Sequence, residues 1–219
     1  LVFCFGVMAL FGLGAQLATA TLLPATLALG FLFLGILPST VQSATAASSL
    51  AGGNVAASVV AAALLNLTGV IASPLLFAAL AGGAGGIRGA PGPRLPPLLL
   101  LPFIAGQFAQ RWLRPWVLKH KGLTTAMDRT AIAVAVYVAF SAAVVAGIWD
   151  QLAGREIAIV FGAVAILLAL SFGGAWAFGA MLKLARPDRT TLLFAGAQKS
   201  IAVGAPLAAT LFPPATAGM

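Results

Sequence analysis

The sequence predicts an all-α integral membrane protein, and three observations predict it. Residues 1–87 contain no Asp, Glu, Lys, Arg or His. Hydrophobic residues make up 61% of the 219-residue chain and charged residues 7%, too few to cover a soluble protein of that size. The apolar runs last roughly 20 residues, the length of a helix that crosses a bilayer. None alternates in polarity as a membrane barrel strand does. A secretory signal would supply one such run, not several. The single cysteine, Cys4, excludes a disulfide framework and a cysteine-based metal site.

Taken in order, Leu1 to about Ala20 forms a first span and Thr21–Pro38 a second. Pro38 ends it, because proline lacks the amide proton and clashes with the preceding turn. Ser39–Gly53 is small and hydroxyl-rich. Asn54 caps the next helix, which runs to about Ala84 and carries Asn66, Thr68, Ser73 and Pro74. Residues 85–94 form a Gly/Pro loop with Arg88 and Arg94. Pro96 to about Trp112 is the next span. Residues 111–129 form a basic connection holding Arg111, Arg114, Lys119, Lys121 and Arg129, with Trp112 and Trp116 as an interfacial belt. Thr130–Trp149 and Ile157–Leu182 cross again, separated by Asp150, Arg155 and Glu156. Lys183, Arg186, Asp188 and Arg189 form the last loop before the apolar stretch Thr190–Phe212.

These runs make seven membrane elements. Loops 111–129 and 183–189 fall on one face and hold eight Lys/Arg, against three on the opposite face. The positive-inside rule puts the eight in the cytoplasm. The net charge of +8 therefore reflects topology, with the lipid bilayer as partner, and does not call for nucleic acid. The chain starts inside an apolar run without an initiator Met and stops just after another. The expectation is that it is part of a longer bundle.

Two segments place polar groups where hydrocarbon is expected. The first is Leu37-Pro38-Ser39-Thr40-Val41-Gln42-Ser43, followed by Thr45, Ser48 and Ser49. The second is Gly196-Ala197-Gln198-Lys199-Ser200, followed by Gly204 and Pro206. Backbone leaves helical geometry inside a membrane only where protein or a water-filled cavity shelters it. Paired interrupted helices form the binding site of transporters built from inverted repeats, and the spacing of these two segments fits an inverted pair. The alternative for Ser43, Thr45, Ser48, Asn66 and Thr68 is close helix packing or back-bonding to their own helix. Gln42 and Gln198 need more partners than packing supplies. Lys199 is the sharpest signal, since a lysine at the bilayer centre costs roughly 2.5–3.5 kcal/mol on insertion scales. It can bind an anionic group, replace a bound cation, exchange a proton, or pair with backbone carbonyls.

These residues carry a resemblance. Leu37–Ser43, Gly53-Asn54-Val55-Ala56-Ala57 and Ser73-Pro74-Leu75-Leu76 are similar to the bile acid–sodium symporter superfamily. So are Asp128-Arg129, Val136–Ser141, Asp188-Arg189-Thr190 and Gly196–Gly204. The likeness is to its SBF-like branch, which is also similar to the divergent seventh member of the human bile-acid carrier family. The resemblance implies about ten helices, in panel and core domains that move against each other, with two discontinuous helices crossing in the core. On that pattern this chain covers helices three to nine. Residues 1–84 form a first core repeat and 85–149 panel-like spans with the basic cytoplasmic loop. Residues 150–219 form a truncated second core repeat.

The departures from that pattern are specific. Sodium-coupled members carry Glu four residues before the Gln that matches Gln198, where this chain has Phe194. They carry Asn directly after it, where this chain has Lys199. Their Ser-Asn pair in the first broken helix is replaced by Ser43-Ala44-Thr45. The region of Ser43, Thr45, Asn66 and Gln198 is therefore a degenerate sodium site, since sodium favours several oxygens including a charged one. No resident cofactor is expected; sodium or a proton is the candidate coupling ion.

The function expected is secondary active transport of an organic anion, amphipathic or small, across a bacterial inner membrane by alternating access. Sodium coupling is expected to be atypical or absent. Gln42, Ser43, Thr45, Asn66, Thr68, Gln198, Lys199 and Ser200 are the candidate contacts. The alternative is a membrane scaffold or regulator that no longer transports. An enzyme is not expected, because the one histidine, His120, sits between Lys119 and Lys121 with no second ligand or nucleophile beside it.

Overall fold

The computed structural model describes residues 1–81, 95–145, 147 and 152–211. Among them every regular element is a helix. Helix α1 spans Val2–Thr19, with its opening turns wound as π-helix. Then come α2 (Ala25–Ile36), α3 (Val41–Leu50), α4 (Val55–Ala81) and α5 (Leu95–Lys119). They are followed by α6 (Lys121–Val145), α7 (Gly154–Met181), α8 (Arg186–Ala197) and α9 (Ile201–Leu211). Helices α1, α4 and α7 are each long and apolar enough to cross a membrane. Helices α2 and α3 meet the same length and apolarity only as a pair, bent by 63° at their break.

Helix α1 is the shared wall of the structure. On one side Ala9 packs with Leu29, Leu32 and Ile36 of α2 and Phe77 of α4. On the other, Phe3 and Met8 pack with Ala175 and Phe178 of α7 and Leu192 of α8. Inside a bilayer there is no hydrophobic drive between helices, so association depends on close packing and small residues. Gly12 and Gly35 supply it where α1 meets α2. A methyl group on Gly12 would lie 2.7 Å from the Phe31 carbonyl oxygen, and one on Gly35 would lie 2.6 Å from that of Met8. The two backbones touch with no side chain between them.

Three boundaries differ from the sequence expectation. Residues 111–129 are not a loop: α5 runs on to Lys119 and α6 begins at Lys121, leaving His120 between them. Arg, Lys, Leu and Gln are good helix formers, so the helices continue beyond their apolar stretches. Neither Pro115 nor Gly122 stops them. Residues 183–189 are mostly not a loop either, because α8 starts at Arg186. Pro187 in its first turn is pre-set for helical geometry, and Asp188 suits the positive end of the helix dipole. The interruption expected across 38–53 is confined to Leu37–Thr40, and Val41–Leu50 is regular helix. Arg88, Arg94, Trp149, Asp150 and residues 212–219 lie outside the described residues.

Candidate functional site

The first break begins where Pro38 follows Leu37. A residue before proline is pushed to extended geometry, and Leu37 takes φ −66°, ψ 146°. Thr40 is also extended, at φ −82°, ψ 134°. The last carbonyls of α2 have no helical partner, and lipid offers none. Each carbonyl from Leu34 to Ser39 nevertheless has a donor. The Leu34 carbonyl accepts from the Leu37 amide at 3.4 Å. Ile36 accepts from the buried Ser73 hydroxyl at 2.7 Å. Pro38 accepts from the Ser200 amide at 2.8 Å, and Ser39 from Asn66 Nδ2 at 2.8 Å. Gly35 and Leu37 accept from the Lys199 ammonium at 3.0 and 2.9 Å.

The second break, Gln198–Ser200, lies against the first. Gln198 is extended at φ −70°, ψ 142°, and the Ser200 amide is the direct backbone link to Pro38. The ammonium of Lys199 has three protons. Two point to Gly35 and Leu37; the third faces Cys4, whose carbonyl oxygen is 3.4 Å and sulfur 3.6 Å away. The carbonyl end of α2 carries the negative pole of its dipole. A positive group there is held by both dipole and hydrogen bonds.

Side chains from both breaks meet as well. Gln198 Oε1 accepts from Ser43 at 3.0 Å and from Thr40 at 3.3 Å, and the two hydroxyls are bonded to each other. These groups and Lys199 line a cavity of about 330 Å³ together with Leu167, Leu168, Ser171 and Phe172 of α7. Glycines keep the break compact. A methyl group on Gly69 would lie 2.7 Å from the Pro38 ring, and one on Gly204 would lie 2.7 Å from Leu37.

A second cluster joins the same helices at their other ends. Asn54 caps α4, its Oδ1 accepting from the Ala57 amide at 3.1 Å. Its Nδ2 donates to Asp188 at 2.9 Å, and its own amide donates to the Pro187 carbonyl at 3.2 Å. Thr191 donates to the Asn54 carbonyl at 3.0 Å. One turn away, the Arg189 guanidinium lies 4.1 Å over the Trp176 ring and donates to the Trp176 carbonyl.

Of the candidate residues, Ser43, Gln198, Lys199 and Ser200 are brought together at the breaks. Asn66 reaches the first break through Ser39. Thr45 instead accepts from Ser58 at 3.3 Å, joining α3 to α4. Gln42 is exposed in the first turn of α3, and Thr68 is half-buried on α4. Sequence reasoning missed Cys4, Ser73 and Thr40 as site residues. Cys4 reads as one more apolar residue in its run. Ser73 carries a signal, a hydroxyl beside Pro74 in an apolar helix. Thr40 sits inside the quoted motif. Ser39 and Ser48 hydroxyls are buried without a partner among the described residues.

Comparison with known proteins places this architecture. A 156-residue stretch, 70% of the chain, is 40% identical to the Escherichia coli protein named "Putative symporter YfeH" and covers 47% of it. A 155-residue stretch, also 70% of the chain, is 37% identical to "Uncharacterized protein PA2026" of Pseudomonas aeruginosa and covers 46% of it. The chain thus spans about half the length of these relatives. A model of the SBF-like CPA transporter family matches residues 1–219, and the chain belongs to that family.

Proposed function

We propose that this chain is the substrate-binding part of a secondary transporter of the bacterial inner membrane, one that moves an amphipathic organic anion by alternating access. The observation that carries the reading is the cavity in which Thr40 and Ser43 of one break face Gln198 and Lys199 of the other. A scaffold has no use for unwound backbone and a cavity at that position. The cavity suits an amphipath, because its lining combines hydroxyls, an amide and a positive charge with the leucines and phenylalanine of α7. The ammonium is bound to carbonyls, so it attracts the anion by its field while Gln198 and the hydroxyls supply direct contacts. In this reading the two broken units are the cores of inverted repeats, with residues 183–189 and the α5–α6 turn in the cytoplasm.

Sodium fits this site poorly. Ser43, Thr45, Asn66 and Gln198 offer neutral oxygens only, and a hard cation favours a charged one. The ammonium already holds the free carbonyls of the break and would repel a second cation in the same low-dielectric cavity. Lys199 thus acts as a tethered cation, and transport proceeds without sodium. Coupling to a proton is the variant within this reading; it requires that Lys199→Arg abolish the pH dependence of uptake.

The test is uptake by the full-length protein in proteoliposomes, with a sodium gradient, a proton gradient or neither, across a panel of organic anions. The expected result is uptake of at least one anion that sodium does not accelerate, with at least tenfold loss in Lys199→Met. High-affinity sodium-dependent uptake in the parent protein would overturn the sodium-free reading. No uptake of any anion under the three gradients would overturn the carrier reading.

A further inference from the structure

We infer a second subsite for the transported molecule: an apolar slot between α1 and α7 that holds its hydrocarbon body while the polar head sits where the breaks meet. The inference rests on the carrier reading above and extends it to what the substrate must look like. A cavity of about 480 Å³ lies along the seam of these two helices, walled by Leu10, Gly14 and Ala18 of α1 and Gly162, Ile166 and Leu170 of α7.

The helices run antiparallel. Phe3 meets Phe178 at one end, with ring centroids 5.6 Å apart, and Leu23, just past the other end of α1, clusters with Ile159. The slot is open because side chains are missing from its walls. A methyl group added to Gly14 or Gly162 would meet nothing within 4 Å. Elsewhere the same seam is closed: a methyl group on Gly174 of α7 would lie 3.0 Å from the Phe11 ring of α1, so the opening is local.

The slot adjoins the cavity at the breaks. Its inner end, at Leu10 and Leu170, is within a turn of Met8 and Ser171, which wall the cavity holding Gln198 and Lys199. Leu167 lines both cavities. Polarity is graded along this path. The only polar side chain on the slot's walls is Thr19, at the outer end, and its hydroxyl is bonded to the Ala15 carbonyl at 2.8 Å. The inner cavity instead presents the side chains of Thr40, Ser43, Ser171, Gln198 and Lys199. A molecule with one anionic head and a narrow hydrocarbon body matches that gradient; a compact, wholly polar anion leaves the slot unused.

The probes are butanoate, hexanoate, octanoate and decanoate, radiolabelled, bound at equilibrium to the full-length protein in nanodiscs, with binding to empty nanodiscs subtracted. Burying each methylene in an apolar slot is expected to tighten binding about fourfold, so affinity rises steeply from butanoate to decanoate. In Gly162→Phe and Gly14→Phe, whose new rings point into open space, the decanoate-to-butanoate affinity ratio is expected to fall at least tenfold. Gly162→Leu, a smaller obstruction, should give an intermediate ratio. A ratio in the variants equal to that of the parent overturns the slot. Butanoate binding with no gain from added methylenes in the parent overturns the slot alone. Absence of binding for all four carboxylates in the parent overturns the slot and the anion reading together. The parent series is decisive even if a variant does not fold.

Discussion

Gly35→Ala adds one methyl group at the tightest point of the structure. Its carbon would stand 2.6 Å from the Met8 carbonyl oxygen and 2.9 Å from the Cα of Gly12. Neither neighbour is a flexible side chain that can turn aside. Helices α1 and α2 must part by roughly 1 Å to restore ordinary contact. Overpacking of this kind costs about 1–3 kcal/mol. The same carbonyl group of Gly35 that α2 would carry away accepts the Lys199 ammonium at 3.0 Å. Weakening that charge-assisted bond adds up to about 1.5–3 kcal/mol. For a chain of this size each kcal/mol is worth about 2–4 °C in melting temperature. The assay is thermal unfolding of the purified full-length protein followed by tryptophan fluorescence, with Gly30→Ala as control. Gly30 lies on the same helix and has open space where a methyl would go. The control should be neutral or stabilised by up to about 1 kcal/mol. Gly35→Ala should melt several degrees below it. If the two melt within a degree of each other, the backbone contact between α1 and α2 is not what holds this end of the site.

Ser73→Ala leaves the Ile36 carbonyl of the first break without a donor and should destabilise the protein by about 1–3 kcal/mol, readable in the same unfolding assay. Asn54→Ala removes the cap of α4 together with the Asp188 bond; a loss of about 1 kcal/mol is expected. A double-mutant cycle with Asp188→Ala should show coupling below about 1 kcal/mol, because the pair is exposed. Gln198→Leu keeps the side-chain volume and removes the acceptor shared by Thr40 and Ser43. Uptake of whichever anion the parent carries should fall at least tenfold, with the melting temperature moving by only a few degrees.

The breaks were legible in the sequence because their causes are side chains. Pro38 cannot continue a helix, and Gln198, Lys199 and Ser200 have no place on a lipid-facing one. Asn54 was legible as a cap for the same local reason. The acceptors of the Lys199 ammonium were not. Gly35 and Leu37 contribute only their carbonyls, which every residue has, and they become special only because α2 ends there. Cys4 is 195 positions from Lys199, and nothing in its own run marks it. The contact of Gly12 with Gly35 was hidden because glycines abound in this chain, 25 in all, and most face open space. The α5–α6 turn does not lie where the charged residues begin, because charge marks the end of the hydrocarbon and not the end of a helix.

The unit α3 and the unit α8 are fastened to each other at two heights. One rivet is the amide of Ser200 on Pro38 with the hydroxyls of Thr40 and Ser43 on Gln198. The other is Asn54 on Pro187 and Asp188, with Thr191 on Asn54. A rod pinned twice cannot pivot about either pin. If the proposed alternating access holds, turning this pocket from one side of the bilayer to the other swings both broken helices as a single lever.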